Sequence, residues 1–192
     1  VFKRGRYVLD KLITSKVRRK LLTEFLMNPS RAFYCRQLSR LTGQSVPAVH
    51  KELRALESAG LLRAKRRANR RYYQVNNKFP GYRDLQRLIL NTEAVGDPFR
   101  ARLKRLGNIQ EAFIYGSFAA GNPTSRSDLD LMIVGDPDPE ELALLAQDLE
   151  LSLGRDLNYM VVEPKELEAR RGPKAAFLAD VQSGPIVNLL EA

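Results

Sequence analysis

The sequence predicts an α+β chain of two domains: a basic helical half closed by a β-hairpin, then an acidic half built on a small mixed sheet with flanking helices. Two observations carry that prediction. The charge divides, because residues 1–92 hold 22 Lys and Arg against 5 Asp and Glu (+17), whereas residues 93–192 hold 10 against 17 (−7). The apolar pattern divides as well: helical spacing dominates the first half, and short β runs alternate with helices in the second. With 192 residues, 44% of them hydrophobic, the chain can bury two small cores and is too apolar for wholesale disorder.

Several classes are set aside early. No apolar run approaches the roughly 20 residues of a membrane span. The opening Val1-Phe2-Lys3-Arg4-Gly5 lacks the apolar stretch of a signal peptide. The single Cys35 excludes an internal disulfide framework, and with the single His50 it cannot build a Cys/His zinc cage. The expectation is a cytoplasmic protein with no membrane partner.

In the basic half, Val17, Leu21, Leu22, Phe25 and Leu26 recur at helical spacing until Asn28-Pro29. A second short helix fits Cys35 to Leu41, closed by Thr42-Gly43. A third begins near Ser45, tolerates Pro47 in its first turn, turns Val46, Val49, Leu53 and Leu56 inward, and stops at Ala59-Gly60. Three helices with a Gly-containing turn between the last two form a helix-turn-helix arrangement. Leu61 to Lys65 and Arg71 to Val75 then read as strands around Arg66-Arg67-Ala68-Asn69-Arg70. Alone, that basic run reads as a solvated loop. Directly after the third helix it reads as the cationic tip of a wing.

The polar face of the third helix offers Gln44, Ser45, His50, Lys51 and Arg54, and the hairpin adds Arg66, Arg67, Asn69, Arg70 and Arg71. Helix residues of this kind face base edges in a major groove, while basic flanks engage phosphate. The expected partner is double-stranded DNA. His50 by itself reads more readily as an ordinary surface helix residue than as a base reader.

Ser15-Lys16-Val17-Arg18-Arg19-Lys20-Leu21-Leu22, Cys35-Arg36-Gln37-Leu38, the run from Leu53 to Leu62 and Asn69-Arg70-Arg71-Tyr72-Tyr73 together resemble the ArsR-like winged-helix domain of prokaryotic regulators, over roughly residues 8–76. The domain is expected over 1–78, followed by a connecting helix over 79–93. That helix carries an apolar stripe, Leu85, Leu88 and Ile89, which suits packing against the second domain or a homodimer interface with a second copy.

In the acidic half, Gly96-Asp97-Pro98 opens a helix with Phe99, Leu103 and Leu106 on one side. Ala112 to Tyr115 is a strand ending in Gly116-Ser117, and Asp128 to Val134 is the next. A helix from Pro139 to Leu153 and a strand from Leu157 to Val162 complete a β-α-β-α-β pattern. Strand alternation puts Asp128 and Asp130 on one face. Two carboxylates this close repel unless a cation neutralises them, and Mg²⁺ takes one or two carboxylates while keeping water and phosphate oxygens. Gly116 permits close backbone approach to a phosphate, and Ser117 adds a hydroxyl. Together these residues are expected to bind a nucleoside triphosphate (NTP) with its metal.

The segments Tyr115-Gly116-Ser117 and Ser127-Asp128-Leu129-Asp130 resemble the minimal nucleotidyltransferase domain of the polymerase-beta superfamily, expected over 94–192. The resemblance implies that Gly116 and Ser117 hold the triphosphate, and that Asp128 and Asp130 are catalytic metal ligands. It also implies a third carboxylate on a later strand, but the matching position is Asn158, and Ala120 stands where relatives often carry a basic residue. An amide cannot act as a general base near neutral pH.

The function expected from these features is a DNA-binding transcriptional regulator whose nucleotidyltransferase-like domain binds Mg-NTP with weak or lost transfer. The alternative is an active transferase moving a nucleotidyl group to a protein, RNA or small-molecule hydroxyl. Such domains also occur as antitoxins of HEPN-type toxin partners, which only the family resemblance supports.

Overall fold

The computed structural model describes residues 6–95, 97–124, 127–165 and 173–190. The chain divides into two units, residues 1–93 and 94–192. In the first, α1 (Arg6–Leu12) precedes α2 (Lys16–Met27). Ser15 starts α2 by accepting a hydrogen bond from the Arg18 N–H at 3.2 Å. After β1 (Phe33–Tyr34), α3 (Cys35–Thr42) ends at Gly43, whose φ of 63° closes the turn. Ser45 then caps α4 (Val46–Ser58), and Pro47 sits in the first turn, where no N–H is needed. Strands β2 (Leu62–Arg67) and β3 (Arg70–Val75) pair antiparallel, and β1 adds to the other edge of β3. Leu21, Phe25, Phe33, Leu38, Val49, Leu53 and Tyr73 are buried at the centre of this unit. Phe25 and Phe33 meet edge to face at 5.4 Å.

Three expectations are corrected here. Val46 is 42% exposed rather than inward; it stands in the first turn of α4, ahead of the buried stripe, and its carbonyl oxygen accepts from the Cys35 thiol at 3.6 Å. The hairpin tip is two residues, Ala68 and Asn69, not five. Arg66 and Arg71 face each other across the strands, as do Arg67 and Arg70. Two-residue loops match the strand twist, and Ala68 supplies the positive φ, 49°. The stripe on α5 (Tyr82–Ile89) is largely spent within the unit. Ile89 is buried, and the Gln86 side-chain amide donates to the Leu26 carbonyl at 2.6 Å, holding α5 against α2. Ile89 is therefore not available to a dimer interface, although Leu88 stays exposed. A π-helical segment, Leu90–Ala94, continues the chain.

Glu52 ties α4 to the start of α2. It accepts from the Ser15 hydroxyl at 2.6 Å and from the Arg18 guanidinium at 2.7 Å. Burial pushes its carboxyl up, but these hydrogen bonds and the Arg18 and Lys51 charges outweigh that and hold it below its ordinary value. A depressed carboxylate stabilises the fold above its unfolded pKa, and the contribution is lost as pH falls through the folded one. Glu52→Gln is expected to cost about 1–3 kcal/mol at neutral pH. In urea melts, the gap to wild type should narrow as pH falls below the ordinary 4.5.

The second unit opens with α6 (Asp97–Leu103), then β4 (Gly107–Tyr115), α7 (Gly116–Ala119) and β5 (Leu129–Pro137). The crossover helix α8 (Pro139–Leu153) leads to β6 (Leu157–Val162), and α9 (Pro173–Ser183) leads to the two-residue β7 (Val187–Asn188). Asp138 caps α8 by accepting from the Glu140 and Glu141 N–H groups. The sheet runs β6-β5-β4-β7, with β5 and β6 parallel and the other pairs antiparallel. One face packs Phe113, Met132, Val134 and Val162 against Leu178 of α9. No described helix is long and apolar enough to cross a membrane.

Candidate functional site

The sheet register assembles the acidic site. Tyr115 pairs with Asp130 across β4 and β5, and Asp130 pairs with Asn158 across β5 and β6. Paired residues share a face, so Tyr115, Asp130 and Asn158 extend the buried row of Phe113, Met132 and Val162 out to the sheet end. Asp128, just before β5, joins them: the Asn158 side-chain amide donates to Asp128 Oδ2 at 3.1 Å. Asp130 is pushed above the ordinary carboxylate range, chiefly by burial and further by the Asp128 charge, against a hydrogen bond from Asn158. Burial also raises the Tyr115 phenol, with the Asp130 charge adding to it.

Gly116 closes the other side. Its φ is 69°, and a Cβ there would lie 2.4 Å from Asp130 Oδ2, so the carboxylate rests directly on the glycine backbone. Ser117 is half-buried in the next position of α7, and its carbonyl accepts from the Asn122 N–H at 2.9 Å. Asp156 is exposed, and its carbonyl accepts from the Leu129 N–H. Arg155 was not singled out from sequence. Its guanidinium donates to the Ser127 carbonyl at 2.5 Å and lies 5.1 Å over the Phe118 ring, joining the loop before Asp128 to α7. Among the described residues, no group of three or more His, Cys, Asp or Glu is placed to hold a metal ion. Asp128 and Asp130 are the carboxylates gathered here, with the Asn158 amide beside them.

Residues 97–180 match the nucleotidyltransferase domain family. A curated protein of Methanocaldococcus jannaschii, named "Putative protein adenylyltransferase", is 39% identical over 64 residues. The match spans 33% of this chain and 63% of that protein's length. A solved toxin-antitoxin structure with AMP-PNP is 18% identical and covers 48% of this chain and 73% of its own. Its TM-score is 0.34, too low for the likeness to bear on fold or function. The matched segment, residues 97–180, includes both aspartates, Gly116, Ser117 and Asn158.

The residues singled out from sequence as candidates to face DNA are placed unevenly. Gln44 donates to the Thr42 and Gly43 carbonyls, and Ser45 caps α4, so both shape the turn. His50, Lys51 and Arg54 are exposed on α4, as are Arg66, Arg67, Asn69 and Arg70 on the hairpin. Arg71 pairs with Glu57 of α4. A groove of about 500 Å³ gathers His50, Asn69, Arg70 and Arg71 with Arg36 and Arg40 of α3. The last two were missed, although their spacing of four residues on a short helix marks one exposed cationic face. Three arginines are held by aromatic rings: Arg67 lies 5.8 Å from the centroid of Tyr72, Arg70 4.9 Å from Tyr34 and Arg71 5.8 Å from Tyr73.

Proposed function

We propose that the chain is a DNA-binding regulator in which a winged helix-turn-helix domain (1–78) and a connecting helix (79–93) precede a nucleotidyltransferase domain (94–192) that binds Mg-NTP and transfers slowly or not at all. The observation that carries the second half is the contact of the Asn158 amide with Asp128, beside Asp130. Two carboxylates set against each other fit a hard divalent cation, which accepts one or two carboxylates and completes its shell with water and phosphate oxygens. In this reading Asp128 and Asp130 hold the metal, Gly116 admits a phosphate to the backbone, and Ser117 offers its hydroxyl. The bound cation would supply charge neutralisation of the triphosphate. Asn158 has no negative charge for a second ion and no basic site to take the acceptor's proton. In calorimetry, Mg²⁺-dependent NTP binding is expected for wild type and should be lost in Asp128→Asn and Asp130→Asn. NTP binding that ignores both substitutions would overturn the site.

The DNA-binding half rests on the groove that joins α3, α4 and the hairpin. Its test is salt dependence, since each phosphate neutralised contributes about −0.9 to the log–log slope on B-DNA. Arg66, Arg67 and Arg70 are the residues to replace with alanine, because Arg71 also braces α4 through Glu57. In anisotropy titrations of the full chain, the triple variant should flatten the slope by up to about 0.9 for each phosphate it no longer neutralises. An unchanged slope would refute the hairpin as a DNA-binding element.

The 39% identity to a protein named for adenylyl transfer favours a second reading, an active transferase acting on a protein hydroxyl. There the acceptor oxygen would bond to the α-phosphorus as the α–β bridging bond breaks. Pyrophosphate would leave, and the hydroxyl proton would pass to a base or to water. Transfer of α-labelled ATP to protein in a lysate, abolished by Asp130→Asn, would establish it.

A further inference from the structure

We propose that Phe177 and Tyr115 form the surface on which the nucleobase of the bound nucleotide stacks, so that the site selects a nucleotide over a free polyphosphate; this rests on the Mg-NTP reading of the carboxylates. Tyr115 is the cross-strand partner of Asp130 and directly precedes Gly116, so its ring stands beside the carboxylates on their face of the sheet. Phe177 of α9 meets it edge-on, with centroids 6.0 Å apart and planes at 78°. The next residue, Leu178, is sealed in the core, and Gln182 reaches Glu111 at 3.1 Å. The helix therefore runs back along β4, and Phe177 marks its carboxylate end.

Phe177 is 39% exposed, whereas Leu178 is 1% exposed. Burial of the core does not require that ring to stay open. A triphosphate held at Asp128 and Asp130 carries its sugar and base outward from the α-phosphate, and an open aromatic ring against Tyr115, the cross-strand partner of Asp130, offers the flat apolar surface a base needs. Every base has a π-face, so such a ring favours nucleotides as a class without choosing among them.

The protein contains no tryptophan, which makes Phe177→Trp a single-site reporter. Its emission should be quenched by MgATP and MgGTP alike and left unchanged by Mg-tripolyphosphate. In calorimetry, Phe177→Leu, which keeps an apolar side chain, should weaken MgATP roughly 5- to 150-fold, the range for loss of one stacked base. Its binding of Mg-tripolyphosphate should stay at the wild-type level, which also shows that the variant is folded. Equal weakening of both ligands, unchanged MgATP binding, or a wild type that binds tripolyphosphate as tightly as ATP would overturn the proposal alone. A wild type that binds neither ligand would overturn the carboxylate reading and this proposal with it.

Discussion

Asn158→Asp is expected to raise nucleotidyl transfer by about 10²–10⁴-fold, the usual contribution of a general base. The substituted carboxylate would face Asp130 across β6 and β5, and the amide's hydrogen bond to Asp128 would be replaced by repulsion. Two outcomes should therefore appear together: a lower melting temperature in EDTA, and its recovery with Mg²⁺. Asp156 provides the control. It lies two residues before Asn158, at the entry to β6, where a shift in register would bring its carboxylate toward the proposed metal site. If Asn158 replaces a lost catalytic group, Asp156→Asn should leave transfer unchanged. If Asp156 has taken over, wild type should already transfer rapidly and Asp156→Asn should abolish it. Robust wild-type transfer that survives Asp156→Asn would defeat both versions.

Gly135→Ala and Gly116→Ala should separate stability from binding. At Gly135, φ is 150°, and a Cβ would sit 2.3 Å from the Asn108 carbonyl oxygen and 2.8 Å from the Ile109 Cα. Those are backbone atoms at the irregularity between Ile109 and Glu111, and they cannot swing aside. The expected cost is about 3 kcal/mol or more, since strain and overpacking add. A chemical melt should show it as a fall in midpoint. At Gly116 the obstructing atom is instead the tip of the Asp130 side chain. That carboxylate can rotate away, leaving a conformational penalty of about 1–2 kcal/mol for the positive φ. The larger loss should be in Mg²⁺-dependent NTP binding, because the displaced group is a proposed ligand. Binding to Gly116→Ala at wild-type strength would count against that assignment.

Much of the fold was legible in the chain itself, wherever periodicity ran long enough to be read. The bounds of α8 and β6 coincide with the apolar stretches from Pro139 to Leu153 and from Leu157 to Val162. The short elements were not legible. With two residues each, β1 and β7 have no period, and only their partners β3 and β4 define them. The hairpin tip was misread because charge suggested a loop, whereas stacking on Tyr34 and Tyr72 lets opposed arginines share a ladder. Asp128, Asp130 and Gly116 were singled out from residue type and spacing, and the structure places Gly116 against the Asp130 carboxylate. The contact of Tyr115 with Phe177 was not legible, because 62 positions separate them and only the return of α9 along β4 brings them together.

The stacked arginines of the hairpin also bear on how quickly and how selectively this surface would bind. A free arginine samples many rotamers, and freezing such a side chain at an interface costs about 0.5–1.5 kcal/mol. Arg67 and Arg70 rest over Tyr72 and Tyr34 before any partner arrives. Much of their rotational freedom is thus surrendered when the protein folds, not when it associates. If the hairpin binds DNA as proposed, a tip organised in this way would act as a rigid template, meeting the polyanion at nearly its final geometry with little ordering left to slow the encounter. The same rigidity fixes the distance between the two guanidinium groups, so the template would favour phosphates at one spacing over a loosely matched anionic surface.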